Sequence, residues 1–195
     1  MFSRRELLAG GLAGAGAGAA AVLAARTAAA DTPVSDQALL SYALQIEQTA
    51  VVVYEQVLAL PVLGRESRAL ALEFLGHERA HVAALHSELE ALGNAPPAPV
   101  STSQQARAVL AQHGLSVDFG KLGTLKDAIN LLYDIEGLSQ GAYYATIGLL
   151  SSSAPLASAA QALACEAQHQ ALLTALLYPG EIERSVPGAF VEGWQ

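Results

Sequence analysis

A polar pattern that occurs twice, each time within apolar helical segments, constrains the fold of this chain more than any other feature. A leading glutamate is followed 30 or 31 residues later by a Glu-x-x-His motif, first in residues 47–81 and again in residues 136–169. The residues concerned are Glu47, Glu78, His81, Glu136, Glu166 and His169. The sequence therefore predicts two similar helical hairpins that carry the same polar residues at the same places.

All six polar residues lie on helix faces that should be buried. Residues three, four and seven positions apart share a face of a helix, and around Glu47 these neighbours include Leu40, Leu44 and Val51. A buried carboxylate without a partner costs several kcal/mol. No lysine or arginine falls on these faces. Four converging glutamates would therefore repel one another unless a positive charge lay between them.

Two divalent metal ions would remove this repulsion. Four carboxylates supply four negative charges, two ions supply four positive charges, and two neutral imidazoles complete the ligand set. Mixed oxygen and imidazole ligands suit iron or manganese, suit zinc less well, and do not suit copper(I). The residue pattern predicts a metal site made of all six residues, and the alternative is a helical bundle that has lost its metal. Neither a catalytic residue nor an organic cofactor site is predicted.

The periodicity predicts an all-α fold, a four-helix bundle with a long crossover between helices 2 and 3. The four predicted helices span about residues 36–60, 66–92, 124–150 and 155–178, with Thr124 as a helix N-cap and an extra short helix at 103–112. No segment alternates as a strand would. The predicted bundle domain is residues 31–180, and residues 181–195 are expected to form an irregular tail.

Residues 1–30 have the layout of a signal peptide. Arg4 and Arg5 precede an uncharged, Gly/Ala-rich apolar stretch that ends at Ala28-Ala29-Ala30. Adjacent arginines before a mildly apolar stretch are typical of a twin-arginine signal, read by the Tat translocon. The alternative is a membrane anchor, which so many glycines disfavour. We expect cleavage, a periplasmic or extracellular protein, and contact with the membrane only during export.

Composition excludes several classes of function. The chain has 195 residues, a net charge of −8 and one cysteine. A net negative charge argues against nucleic acid as a partner. A single cysteine excludes a disulfide framework and a thiolate-rich zinc site.

Other candidate residues receive simpler interpretations. Tyr54 and Tyr143 lie seven residues after Glu47 and Glu136 and are expected in the core, with hydrogen bonding to the site as the alternative. Cys165 is interpreted as a small core residue. The remaining residues are expected at the surface or at an edge: His77, His86, His113 and Glu55.

The pattern resembles the ferritin-like superfamily, and within it exported bacterial ferritin-like proteins related to plant desiccation-associated proteins. The stretches that carry the resemblance are residues 39–47 with Tyr54, 74–81, 117–120, 135–144 and 166–169. The resemblance spans about residues 36–177. It implies Glu47 and His81 on one ion and Glu136 and His169 on the other, and it implies that Glu78 and Glu166 bridge the two ions.

The resemblance also implies a function. A di-iron or dimanganese protein would react with oxygen or peroxide as an oxidase, peroxidase or catalase-like enzyme. The alternatives are a metal-binding or structural stress protein without turnover, and a cage-forming iron store. The apolar exterior expected of the bundle makes a homodimer plausible.

Overall fold

Five α-helices make up most of residues 34–186, the part of the chain that the computed structural model describes. They are α1 (Asp36–Leu58), α2 (Arg65–Ala91), α3 (Ser103–Gln112), α4 (Leu125–Ile147) and α5 (Ser153–Leu177). Across the described residues there is no strand, so the predicted all-helical class is confirmed. The predicted signal peptide, residues 1–30, and the last residues of the tail, 187–195, lie outside the described part.

Local capping explains where the helices begin and end. Thr124 caps α4 as predicted, because its hydroxyl accepts from the Asp127 amide while the Asp127 carboxylate accepts from the Thr124 amide. After α2, the chain turns at Gly93 with φ of +75°. The Gly93 amide donates to the Glu90 carbonyl, and the Asn94 amide donates to the Leu89 carbonyl. This Schellman geometry favours glycine, which has no Cβ to clash at positive φ.

The start of the first helix and both ends of α3 are as predicted, and the other helix ends differ from the predicted ones by one to three residues. The helix α5 begins at Ser153, two residues before Pro155. Proline is tolerated there because the first-turn amides of a helix have no intrahelical acceptor. The tail also differs from the prediction of irregular structure, because residues Ile182–Ser185 form a 3-10 turn that packs against α5.

The four long helices contact one another in a ring. The helix α1 contacts α2 and α4, while α5 contacts α4 and α2. Buried apolar side chains form two clusters, one containing Val53, Phe74 and Leu132 and the other containing Leu44 and Leu89. Along α2 and α5, the predicted Glu and His residues fall between the members of one cluster and those of the other. The predicted Glu and His residues thus form a polar layer that adjoins both apolar clusters.

The long connection between α2 and α4 contributes to the core. Its short helix α3 packs against α1 and buries Val109 and Leu110 in the larger apolar cluster. The buried Gln48 side chain of α1 accepts a hydrogen bond from the Val100 amide at 2.9 Å. This bond holds the connection along α1, one residue beyond Glu47.

Candidate metal centre

The structure brings all six predicted ligands into the polar layer. Each long helix supplies one glutamate, and α2 and α5 each add the histidine one turn later. The four glutamates are at most 1% exposed and His169 is 2% exposed. The side chain of His81 is the most accessible of the six, with 13% of its surface exposed.

The ligand atoms form two overlapping groups. One group contains Glu47, Glu78, His81 and Glu166, and the other contains Glu78, Glu136, Glu166 and His169. Within each group the ligand atoms lie within 4.8 Å of one another. Since Glu78 and Glu166 belong to both groups, they occupy the positions that bridging ligands would need.

Each histidine aims Nδ1 at the carboxylates. The His81 Nδ1 lies 2.9 Å from Glu166 Oε1 and 3.7 Å from both Glu47 Oε2 and Glu78 Oε2. The His169 Nδ1 lies 3.0 Å from Glu136 Oε2, 3.3 Å from Glu78 Oε1 and 3.6 Å from Glu166 Oε2. In the described part of the chain, these histidines are the only basic side chains paired with the four carboxylates.

Burial and neighbouring charges strongly shift the pKa values of the glutamates and histidines in this layer. Burial and the charge of Glu78 raise the pKa of Glu47, and burial and the charge of Glu136 raise that of Glu166. Burial opposes ionisation of Glu78 as well, but the nearby His169 and His81, whose Nδ1 atoms lie 3.3 and 3.7 Å from its carboxylate, lower its pKa to about 2. Burial alone would lower the pKa of His169, yet its carboxylate partners, Glu136 first, raise it to about 12. Without another cation, protons must balance the charge here.

The donor set of this layer is compatible with metal ions. Both carboxylate oxygens of Glu47, Glu78 and Glu166 are buried, and none accepts a hydrogen bond of standard geometry from the described residues. Buried polar atoms normally have partners, so six such oxygens in one layer need an explanation. Carboxylate and imidazole ligands are those that iron and manganese take in proteins. The buried Glu/His groups are thus compatible with metal binding.

Comparison with known proteins decides the family. A family model described as a ferritin-like domain matches residues 35–179. The chain belongs to the ferritin-like domain family. The crystal structure of a conserved hypothetical protein, rv2844, from Mycobacterium tuberculosis is similar to it, with a TM-score of 0.62 and 20% sequence identity. The similarity covers 74% of this chain and 91% of that one, and at this identity it shows the fold alone.

No curated protein matches this ferritin-like chain significantly. Between residues 34 and 186, none of the helices combines the length and hydropathy that crossing a bilayer requires.

The two tyrosines of the repeat behave differently in this ferritin-like domain. Both are buried, as predicted. The Tyr54 hydroxyl of α1 donates a hydrogen bond to Glu136 Oε1 of α4. The Tyr143 hydroxyl of α4 makes no hydrogen bond of standard geometry with the described residues. The alternative interpretation, hydrogen bonding to the site, therefore holds for Tyr54.

This difference predicts unequal effects of removing the two hydroxyls. Tyr54→Phe should lower the free energy of unfolding of the metal-free protein by about 1–3 kcal/mol, because a buried carboxylate loses its donor. Tyr143→Phe is the matched control and should cost less stability than Tyr54→Phe, because its hydroxyl has no hydrogen bond of standard geometry to lose. Urea unfolding measures both. Equal losses in the two variants would contradict the assigned hydrogen bond.

Two residues outside the predicted ligand set adjoin the centre. His77, for which the sequence predicts a surface or edge position, is half-buried, and its Nδ1 lies 2.9 Å from His169 Nε2. Cys165 was interpreted as a small core residue, but its Sγ lies 3.4 Å from His169 Nε2. Both residues occupy the flank of their helix where α2 meets α5, so they reach the neighbouring helix. His113 is half-buried beside Tyr42, and burial lowers its pKa.

Exposure was predicted correctly for Glu55. It is exposed and forms an ion pair with Arg79 at 2.9 Å. His86, which was expected at the surface or an edge, is half-buried.

Proposed function

We propose that this protein is an exported ferritin-like protein that holds two iron or manganese ions and reacts with oxygen or peroxide, as an oxidase, peroxidase or catalase-like enzyme. One observation carries the proposal. Two groups of buried ligand atoms share Glu78 and Glu166, and three of the four glutamates have no hydrogen-bond donor of standard geometry in residues 34–186. Such an arrangement suits a pair of cations.

The two groups support a specific assignment of ligands. Glu47 and His81 would hold one ion, and Glu136 and His169 the other. Glu78 and Glu166 would lie between the ions. A bound pair of redox metal ions would supply two-electron chemistry toward oxygen or peroxide.

The surrounding residues would control access and orientation. The two apolar clusters that adjoin the centre keep bulk water from the carboxylates, which are at most 1% exposed. The Tyr54 hydroxyl fixes one oxygen of Glu136, and this leaves the other oxygen facing His169 at 3.0 Å. His81 is more exposed than the other five residues, so a small oxidant would reach the centre from its side.

The arrangement of the chain forms part of the proposal. The ring of contacts among α1, α2, α4 and α5 supports a four-helix bundle. The connection along α1 supports a crossover between the second and third bundle helices, which are α2 and α4. The twin arginines support export by the Tat translocon to the periplasm or beyond. Exposed leucines on α5, namely Leu156, Leu172 and Leu176, support a homodimer.

Consumption of hydrogen peroxide tests the activity. The protein loaded with iron or manganese should consume peroxide repeatedly, and Glu78→Ala should abolish consumption because both ions lose a ligand. Glu73→Ala, an exposed glutamate on the same helix, is the matched control and should retain the wild-type rate.

The same assay, repeated with oxygen and a reductant, separates this proposal from its alternative. Full metal loading with no turnover of either oxidant would overturn the redox proposal and favour a metal-binding or structural stress protein. Equal turnover in wild type and Glu78→Ala would place the activity outside this centre.

A further inference from the structure

A second cluster of ligand-type side chains lies beside the carboxylate centre. It contains His77 of α2 with Cys165 and His169 of α5. The separation of His77 Nδ1 and His169 Nε2 is 2.9 Å. The Cys165 Sγ lies 3.4 Å from His169 Nε2 and 3.8 Å from His77 Nδ1. The three atoms thus form a compact triangle on the opposite side of the His169 ring from the carboxylates.

The orientation of His169 directs a lone pair into this triangle. Its Nδ1 faces the Glu136 carboxylate at 3.0 Å, and a carboxylate can only accept, so Nδ1 keeps its hydrogen when Nε2 gives up its own to bind a cation. The lone pair then lies on Nε2, which faces His77. A carboxylate that accepts from the far nitrogen of a histidine is the usual outer partner of a metal-binding imidazole.

The two imidazoles meet edge to edge. Their planes are parallel to within 4°, with centroids 5.2 Å apart. The facing nitrogens are 2.9 Å apart, which is shorter than the separation of about 3.5 Å between the planes of stacked rings. The two rings therefore do not lie face to face. Two nitrogens that approach in this way need either a proton or a cation between them.

The triangle has the dimensions of a zinc site. Zinc bonds of about 2.0 Å to nitrogen and 2.3 Å to sulfur, at tetrahedral angles, separate two nitrogens by about 3.3 Å and a nitrogen from a sulfur by about 3.6 Å. The observed separations of 2.9, 3.4 and 3.8 Å differ from these by a few tenths of an ångström. Small side-chain rotations would therefore admit an ion.

The surroundings hold this geometry and leave an entrance. The buried Phe74 ring stacks on His169, with centroids 3.9 Å apart, and lies against His77. His77 and Cys165 are only partly buried, so an ion could reach them from solvent. A thiolate with two imidazoles selects zinc or copper over iron, manganese and magnesium. The two neighbouring clusters thus differ in the metals they favour.

We propose that His77, Cys165 and His169 form a separate site for one thiolate-seeking divalent ion of the zinc class, and that this ion competes with the carboxylate centre for His169. The ion would bind Nε2 while Nδ1 keeps its hydrogen bond to Glu136, and the thiol proton and the Nε2 proton of His169 would pass to solvent. The competition, but not the new site itself, rests on the proposed function.

Cobalt(II) provides the direct probe, because cobalt bound to a thiolate has an intense charge-transfer absorption. Cys165 is the only cysteine of the chain, so any such band reports this site. Titration of the purified reduced protein with Co²⁺ should produce the band, and the band should stop growing when one thiolate-bound Co²⁺ is present per chain. Zn²⁺ should then bleach it, since nitrogen and sulfur sites bind zinc more tightly than cobalt.

Two variants and one control make the titration specific. Cys165→Ser should lack the band, and His77→Asn should weaken the affinity for Co²⁺ by at least about tenfold. His86→Asn is the control on the same helix and should leave the band unchanged. A wild-type protein that binds cobalt without the band, or a His77→Asn variant with unchanged affinity, would overturn the site.

Manganese binding tests the competition and separates the two proposals. Zinc at the new site should reduce the manganese bound per wild-type chain from two ions to one, with no such loss in Cys165→Ser. Undiminished manganese beside bound zinc would overturn the competition. If no manganese binds to the wild type at all, the proposed function fails, while the cobalt band still reports the new site.

Discussion

Manganese should raise the midpoint of thermal unfolding of the metal-free protein by roughly 10–20 °C. An ion that binds only the folded state at 100 times its dissociation constant contributes about 2.7 kcal/mol, so two ions contribute about 5 kcal/mol. One kcal/mol shifts the midpoint of a domain of this size by about 2–4 °C. Differential scanning calorimetry with and without manganese measures the shift. An unchanged midpoint would contradict the metal centre.

The variant Glu47→Gln sharpens this test by reversing the sign of the effect. Burial and Glu78 raise the pKa of Glu47 in the metal-free protein. An acid whose pKa is raised by folding costs stability above its unfolded-state pKa and costs nothing below it. Glu47→Gln should therefore stabilise the metal-free protein at neutral pH, with the gain vanishing as the pH falls through about 4. With manganese present it should destabilise, because a ligand is lost.

The second large effect concerns manganese binding, because variants that remove different ligands should lose different numbers of manganese ions. Glu78 belongs to both ligand groups, whereas His81 belongs to one. Glu78→Ala should therefore lose both tightly bound manganese ions, and His81→Ala should lose only one. Mutation of a residue that hydrogen-bonds to a metal ligand typically weakens metal affinity about 10–100-fold. The loss of a ligand itself should therefore weaken the affinity about 100-fold or more. Manganese retained through gel filtration gives the count.

A matched control keeps this comparison interpretable. Glu73→Ala removes an exposed carboxylate from the same helix and should retain both ions. If Glu78→Ala and His81→Ala each lost one ion, Glu78 would not be shared between the ions. If neither variant lost any, manganese would be bound elsewhere on the protein.

The sequence was sufficient to predict the six central residues because two physical rules converge on them. Helical periodicity puts Glu47 and its counterparts on buried faces, and unpaired buried carboxylates are too costly to be accidental. The structure brings these residues into one layer. Their role as metal ligands is still a prediction, as is the cleaved signal peptide in residues 1–30, which lie outside the described part.

His77 and Cys165 escaped prediction because periodicity describes one helix at a time. A residue one position before a buried one lies on the flank of its helix, and only packing decides whether that flank meets solvent or a neighbour. The repeat contained a signal for this pair. His77 directly precedes Glu78 and Cys165 directly precedes Glu166, so the two occupy equivalent positions and can meet where α2 contacts α5.

The metal content of the mature protein tests the central claim most directly. The protein should be folded in its own host, purified without chelator and measured by elemental analysis. We predict close to two equivalents of iron or manganese per chain. A folded protein that contains neither metal and takes up neither on addition would contradict the account, and would leave four buried glutamates balanced by protons alone.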